Sequence, residues 1–411
     1  MTSTESRARS AEVEVPSRPA RPVRRVLQVF HSLGMGGAET WLVAFLEWLA
    51  SNGDSLPVEV QVDVCLTSGK RAVLDDRIAS LGARLHYLRY QGAHLPRFRK
   101  GFTRLLAAGH YDAIHDHADF AGGVHLLCGL GQLPPARVIH VHNPLATFSG
   151  SFKKRLARAV GRQGVERLAT MVAGTSMRML REFDLAPEDH RSQRRVALHC
   201  GFDVTPFALD ATEARARVRA EFGWSDQDRI LLFVGRLTSH FNQKNPRFAL
   251  DVARECNARD PRVKALFVGA GDEARQQIES ELRTEGRERS IRLAGIRFDV
   301  PRLMIASDLL LFPSIAEGLG MVAVEAQAAG LRTLASDTTP RECEVVPGMV
   351  TFVSLNEPPA RWAGIALGLL DSPPIERNAA RAAVARSPFS IDSSARALLD
   401  AYGFVPASAR S

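Results

Sequence analysis

The residues best suited to chemistry lie in the segment 312–330. An apolar run stops at Pro313, a glycine-rich turn carries Glu317, and Glu325 follows among Val, Ala and Met on what reads as a largely buried helix. A carboxylate in such surroundings needs a partner, because an unpaired buried charge is costly. Ribose hydroxyls would serve Glu325, and another polyol would serve Glu317. The turn between them offers free N–H groups to an anion. An ordinary exposed helix residue remains the alternative for Glu325. Upstream, Arg236 directly follows an apolar run and Gly235, and Lys244 stands a short loop away before Asn245-Pro246. Two fixed cations there suit a diphosphate, both bound and as a leaving group, although surface cations are common. Near the N-terminus, Gly34-Met35-Gly36-Gly37 lets backbone N–H groups approach an anion at a helix start. It is not the dinucleotide fingerprint, whose third glycine would fall at Glu39. A plain tight turn explains it equally well.

These residues need a scaffold that places strand ends together. Val23–Phe30 reads as a strand, and Thr40–Ala50 puts Trp41, Leu42, Phe45, Leu46, Trp48 and Leu49 at helical spacing. Further strands are expected at Val58–Leu66, Arg84–Leu88, Ala113–His117, Val138–His142 and Met171–Gly174, with a helix over Lys70–Leu81 and another from about Ser176. After a join near His199–Asp203 the alternation restarts: strands at Ile230–Val234, Lys264–Val268, Ile291–Ala294, Leu309–Phe312 and Arg332–Ala335, with helices between them. Ala360–Leu370 and Ser393–Tyr402 read as closing helices. Alternation of this kind implies parallel sheets covered on both faces, with ligands outside the carboxyl ends of the strands. The expected fold class is α/β, two doubly wound Rossmann-like domains facing across a cleft.

Composition agrees. A chain of 411 residues is too long for one ordinary core, and 45% hydrophobic with 24% charged residues is globular. Residues 1–25 hold six Arg against three Glu and three Pro, without an apolar segment, which reads as a disordered basic tail and not a signal peptide. No run approaches the ~18–20 apolar residues of a membrane span. Five scattered cysteines without a C-x-x-C argue against a disulfide framework or structural zinc and favour a reducing, cytoplasmic compartment.

The segment around Glu317 and Glu325 resembles the E-x7-E motif of family-4 glycosyltransferases, which have the GT-B fold. His31–Thr40, His140–Asn143, Cys200-Gly201-Phe202-Asp203 with Phe207, Val234-Gly235-Arg236, Gln243-Lys244-Asn245, Gly269–Asp272 and Ser387-Pro388-Phe389 resemble family positions in the family's order. The phrasing is closest to the bacterial exopolysaccharide and capsule branch, over roughly residues 24–403. The resemblance implies a tail over 1–23, an acceptor domain over 24–200, a donor domain over 201–386 and a closing helix and tail over 387–411. It implies that Arg236 and Lys244 bind the donor diphosphate with Gly235, that Glu325 holds the ribose, and that Glu317 holds the transferred sugar. N–H groups around Gly318, Leu319, Gly320 and Met321 would face sugar and phosphates, Gly36 and Gly37 would admit the diphosphate, and His142 would approach the sugar. Three departures stand out: a longer loop between Arg236 and Lys244, Arg332 where a proline is frequent, which bears on how the next strand begins, and Gly269-Ala270-Gly271-Asp272 in place of the commoner glycine-acid-glycine-proline, which is expected to matter little.

Other patterns are discounted. His115, His117, Asp119, His125, His140 and His142 suggest a metal site, but polar residues at strand ends in a cleft are expected anyway. Asp226-Gln227-Asp228 precedes a strand, which places it away from the cleft as a solvated turn. Cys200 lacks an obvious base. Basic stretches at His94–Gly109 and Ser151–Ala169 suit anionic lipid headgroups, with Phe98 and Phe102 expected to insert shallowly, or else form a solvated cationic face. No nucleic-acid-binding module accompanies them. The expectation is a retaining, metal-independent hexosyltransferase with no cofactor. It would use a UDP- or GDP-linked sugar on a lipid-linked or polysaccharide acceptor at the inner membrane face. A sugar-nucleotide epimerase, or a catalytically silent binding partner of an assembly complex, are the alternatives.

Overall fold

The computed structural model describes residues 21–91, 94–144, 152–186, 193–237 and 243–405. The expected tail therefore lies almost wholly outside the described residues, as does the stretch 238–242 that lengthens the loop between Arg236 and Lys244.

Seven strands form the first sheet: β1 (Val23–Phe30), β2 (Glu59–Leu66), β3 (Arg84–Tyr87), β4 (Ala113–Asp116), β5 (Ala136–Val141), β6 (Met171–Gly174) and β7 (Arg194–Ala197). Their order is β3-β2-β1-β4-β5-β6-β7, every pairing parallel. Six strands form the second: β8 (Arg229–Val234), β9 (Val263–Val268), β10 (Ile291–Gly295), β11 (Leu309–Phe312), β12 (Thr333–Ser336) and β13 (Val350–Val353). Their order is β10-β9-β8-β11-β12-β13, again parallel throughout. In each sheet the order runs outward from the first strand and then reverses. That creates a switch point between β1 and β4, and another between β8 and β11, where a crevice opens at the carboxyl ends.

Both sheets are covered on two faces, as fully apolar strands such as Leu309–Phe312 require. Helices α1 (Gly37–Asn52) and α2 (Asp75–Ser80) lie on one face of the first sheet. Helices α3 (Leu95–Gly109), α4 (Ala121–Cys128), α5 (Phe152–Leu168) and α6 (Met177–Glu182) lie on the other. On the second sheet, α7 (Ala211–Phe222), α10 (Val300–Ala306), α11 (Met321–Ala328) and α13 (Arg377–Ala385) oppose α8 (Pro246–Arg259), α9 (Asp272–Thr284) and α12 (Pro359–Leu370). Local chemistry sets the starts. Ser176 caps α6 by accepting from Met179 N at 3.1 Å, Asp210 caps α7, and proline opens α8 and α12.

The last helix, α14 (Ile391–Ala401), returns to the first domain, where Ala395, Leu398, Leu399 and Tyr402 join the core beside α1. The two passes between domains run side by side. Phe202 N donates to Phe389 O at 3.0 Å and Ile391 N to Phe202 O at 2.9 Å, while Ser394 Oγ donates to His199 O at 2.7 Å.

Three expectations need correction. The helix expected over Lys70–Leu81 is confined to Asp75–Ser80, because Ser68 Oγ accepts from Lys70 N and Leu74 N is tied to Leu33 O; such local bonds compete with a helix. Phe98 and Phe102 are not available to a membrane. Both are fully buried, with rings 5.2 Å apart against Tyr90 and His125. Exposing a buried aromatic costs roughly 1.5–3 kcal/mol, so α3 keeps its apolar face inward. Arg332 does not disturb the strand after it: its guanidinium donates to Pro373 O at 2.7 Å and β12 pairs in register with β11.

Candidate active site

The second domain brings its charged residues to the switch point between β8 and β11. Arg236 stands exposed just beyond β8, and Lys244 returns from the same loop. Ile315 N donates to Gln243 O at 2.7 Å, stitching that loop to the one after β11. Lys244 Nζ donates to Glu317 Oε1 at 2.7 Å and lies 5.4 Å from the centre of the Phe312 ring. Glu317 is itself buried. Gly320 takes φ 96°, a left-handed conformation that turns the chain directly into α11. Glu325 follows just over one turn later and is half-buried. Burial pushes its carboxyl up to about 7, an effect that Lys244 partly offsets. Lys244 thus acts on both carboxylates of the motif.

Across the cleft, Gly36 caps α1 and Glu39 folds back over it. A Cβ built on Gly36 would lie 2.2 Å from Glu39 Oε2. Burial raises the Glu39 carboxyl, while its own N–H and the charge of Arg236 act in the opposite sense. Arg236 therefore faces an acid of the other domain beside the glycine loop. Beyond β4, Asp119 takes φ 51° and its buried carboxylate accepts from His142 N at 2.7 Å, Asn143 N at 3.3 Å and Asn143 Nδ2 at 2.8 Å. Burial pushes that carboxyl up to about 6 against those three donors. Asp119 is the clamp on the turn that carries His142. His142 is half-buried, and burial pushes its imidazole down to about 3, so it is neutral at pH 7.

The domains touch closely here. Ser176 Oγ donates to Gly318 O at 2.6 Å, and Glu342 accepts from Met177 N at 2.9 Å and Arg178 N at 3.1 Å. A Cβ at Gly318 would lie 2.5 Å from His142 O and 2.7 Å from Thr175 Oγ1, so only glycine permits this approach. Gln327 fixes the segment bearing Glu342. Its amide accepts from Val345 N and Val346 N, both at 2.9 Å, and donates to Ala323 O and Cys343 O. A cavity of about 490 Å³ lies between Pro144, Arg178, Arg181 and Glu182 of the first domain and Ile315, Ala316, Glu317 and Thr338 of the second.

Gly235, Arg236, Lys244, Glu317, Gly318, Leu319, Gly320, Met321 and Glu325 thus all follow the carboxyl ends of β8 and β11 in the second domain, and Gly36, Gly37 and His142 follow those of β1 and β5 in the first; of these, Glu317 lines the cavity. Sequence reasoning missed Glu39, Glu342 and the role of Asp119; for Asp119 only its place two residues after His117 drew notice. Asp226 and Asp228 stand before β8, at the end of the sheet away from the cleft. Asp228 is less solvated than expected, accepting from Ser225 N at 2.7 Å with Lys264 Nζ 3.6 Å away. Cys200 is buried and its thiol is pushed up by burial, which makes it inert. Nitrogens of His115, His117 and His140 lie within 4.8 Å of one another, close enough to converge on a cation. They already meet one another, Tyr402 and Gln28 in hydrogen bonds.

Comparison with known proteins fits this arrangement. A family model described as Glycosyltransferase Family 4 matches residues 35–190, and one described as Glycosyl transferases group 1 matches residues 228–372. The chain is 29% identical over 342 residues to a putative glycosyltransferase, EpsF, of Bacillus subtilis, covering 83% of this chain and 86% of that one. It is 26% identical to the capsular polysaccharide biosynthesis glycosyltransferase CapH of Staphylococcus aureus, covering 74% and 78%. Among solved structures, Anabaena HepE in complex with UDP-glucose superposes with a TM-score of 0.72 at 18% identity, covering 93% of this chain and 100% of that one. WaaG, a glycosyltransferase of lipopolysaccharide biosynthesis, superposes at 0.68 and 16% identity, over 90% and 99%. These two establish the shared GT-B fold. With both domains matched in order and the cleft built from the motif residues, the chain belongs to the family-4 glycosyltransferases.

Proposed function

We propose that the protein transfers a hexose from a nucleoside-diphosphate sugar to a lipid-linked or growing polysaccharide acceptor, with retention at the anomeric carbon. The observation that carries this is the pairing of Lys244 with Glu317, a residue that lines the interdomain cavity, together with the action of the same lysine on Glu325. Arg236 faces the diphosphate, Glu325 takes the ribose hydroxyls, and Glu317, oriented by Lys244, accepts from the sugar. Leaving-group charge grows towards Arg236 and the N–H groups at the start of α11. Chemistry is then mostly positioning, without a protein nucleophile. The polysaccharide context rests on the similarity to CapH, a glycosyltransferase of capsular polysaccharide biosynthesis. Incubation with a panel of sugar nucleotides, measuring released nucleotide with and without lipid extract, tests it. Release that requires acceptor supports transfer. Interconversion of free sugar nucleotides would indicate an epimerase, and no turnover with any donor a silent binding protein.

Charge compensation by Arg236 and Lys244 leads to a second expectation, that activity survives chelation by EDTA. Complete loss, restored by manganese or magnesium, would contradict it.

The acceptor's reactive sugar lies near lipid headgroups, so the first domain is the one placed against the membrane. Among the described residues no helix is long and apolar enough to cross a bilayer. Exposed Arg97, Arg99, Lys100 and Arg104 line α3, and α5 exposes Arg155 with Leu156 (57%) and Val160 (44%). These two aliphatic residues take the insertion role that buried Phe98 and Phe102 cannot. Each near-surface cation is worth about 1 kcal/mol on an anionic membrane. A variant beginning at Arg24 is expected to cosediment with anionic vesicles, less so in high salt and less when the four α3 cations become Glu. Loss of binding on removing the tail alone would move the anchor to residues before 24.

A further inference from the structure

Four histidines form a two-by-two array on neighbouring strands, and its hydrogen bonds run in a fixed direction. His115 and His117 bracket the end of β4, and His140 and His142 the end of the adjacent β5. Alternation places each pair on one face of the sheet. Their rings are 4.1 Å apart within each pair. Between strands they meet edge to edge. His115 Nε2 lies 3.2 Å from His140 Nδ1 with the ring planes 8° apart, and His117 Nδ1 lies 2.9 Å from His142 Nε2. Phe30 stacks on His117 at 4.0 Å, and Trp41 presents its edge to three of the rings.

The array is anchored by two residues remote in sequence. Gln28 Nε2 donates to Tyr402 Oη at 2.7 Å, Tyr402 Oη lies 2.8 Å from His115 Nδ1, and Gln28 Oε1 lies 2.9 Å from His117 Nε2. Burial holds all four imidazoles well below their ordinary pKa, so each ring carries one N–H. The proton directions then follow one from another. The Tyr402 oxygen receives the Gln28 amide, so its own proton goes to His115 Nδ1. The Gln28 carbonyl demands a proton on His117 Nε2, which leaves His117 Nδ1 as an acceptor. His142 must therefore donate from Nε2, and its Nδ1 is left unprotonated. Because His142 is only half-buried, that lone pair is the polar atom the ring has left for a ligand.

We propose that Gln28 and Tyr402 are positioning residues: Tyr402 orients the Gln28 amide by accepting from its Nε2, and Gln28 sets the tautomer of His142 through His117, so that His142 Nδ1 is presented as a hydrogen-bond acceptor. Tyr402 follows the helix that returns from the second domain, so the C-terminal segment completes the active-site wall of the first. The kinetic part of this inference rests on the proposed transfer of a sugar; the tautomer part does not.

Long-range proton–nitrogen correlation on histidine-labelled full-length protein, without substrate, reads each ring's tautomer directly. His117 and His142 are both expected as the Nε2–H form in the wild type. In Tyr402→Phe, which keeps the ring packing, and in Gln28→Leu, His142 is expected to become a mixture of tautomers. Transfer kinetics of Tyr402→Phe are expected to show kcat down on the order of tenfold, one hydrogen bond's worth, with KM for the donor unchanged. Gln28→Glu, which retains an acceptor for His117, is expected to keep the wild-type His142 tautomer. A His142 tautomer unchanged in both Tyr402→Phe and Gln28→Leu would overturn the proposal, as would protein isolated with a metal ion on the array, since a coordinated nitrogen carries no proton. Wild-type turnover in a Tyr402→Phe protein whose His142 tautomer has shifted would also overturn it. Should the protein transfer no sugar at all, the tautomer measurement still decides whether the relay exists.

Discussion

Arg236→Ala is expected to lower kcat about a hundredfold while changing donor affinity far less. The guanidinium stands at the carboxyl end of β8, where the leaving diphosphate gains charge as the glycosidic bond breaks. Removing one such donor to a developing anion typically costs ~3 kcal/mol of barrier. The charge of Arg236 also acts on the half-buried Glu39 carboxyl of the other domain, favouring its ionised form. Steady-state kinetics with a saturating acceptor, combined with calorimetric nucleotide affinity, separate the two effects. A variant that binds nucleotide poorly yet turns over normally at saturation would contradict this assignment.

Glu325→Gln is expected to do two things of opposite sign. Nucleotide affinity falls by on the order of tenfold or more, because hydrogen bonds to a charged acceptor are worth about 1.5–3 kcal/mol. Stability of the unliganded protein rises at pH 8. Burial raises this carboxyl from 4.5 to about 7, so the native state holds the proton more tightly than the unfolded chain. Its contribution to stability is full below the unfolded value and is lost as pH rises through about 7. At pH 8 the ionised carboxylate burdens the fold by on the order of 2 kcal/mol, and glutamine removes that burden. Wild-type nucleotide affinity is expected to strengthen as pH rises through 7, and the variant's affinity to be flat. Denaturant titrations at pH 5 and pH 8 check the stability arm; a variant less stable than wild type at pH 8 would contradict it.

What the sequence showed and what it hid follow from how local each feature is. The turn from Pro313 to Met321 and the helix bearing Glu325 are written in neighbouring residues, a strand stop followed by glycines, and were legible. Alternating apolar runs likewise exposed both parallel sheets. The edge strands β7 and β13 were missed, since two arginines in four residues leave β7 no apolar run to read and β13 is only four residues long. Pairing of Lys244 with Glu317 depends on two loops crossing in space, which no spacing reveals. The Gln28–Tyr402 contact closes a separation of 374 residues. On α3 the pattern announced an apolar face but not what covers it; the sheet covers it, so Phe98 and Phe102 are core. Asp119 drew notice as a ligand candidate, whereas its left-handed backbone and three donors make it the clamp on the turn bearing His142.

The central claim is that one nucleoside-diphosphate sugar lies across the wall formed by Arg236, Lys244, Glu317 and Glu325. A crystal structure of the protein with UDP or GDP, whichever the donor panel selects, tests it most directly. The account predicts ribose hydroxyls on the Glu325 carboxylate and diphosphate oxygens within hydrogen-bond reach of the Arg236 guanidinium. A nucleotide bound elsewhere, or in the cleft but touching neither residue, would contradict it.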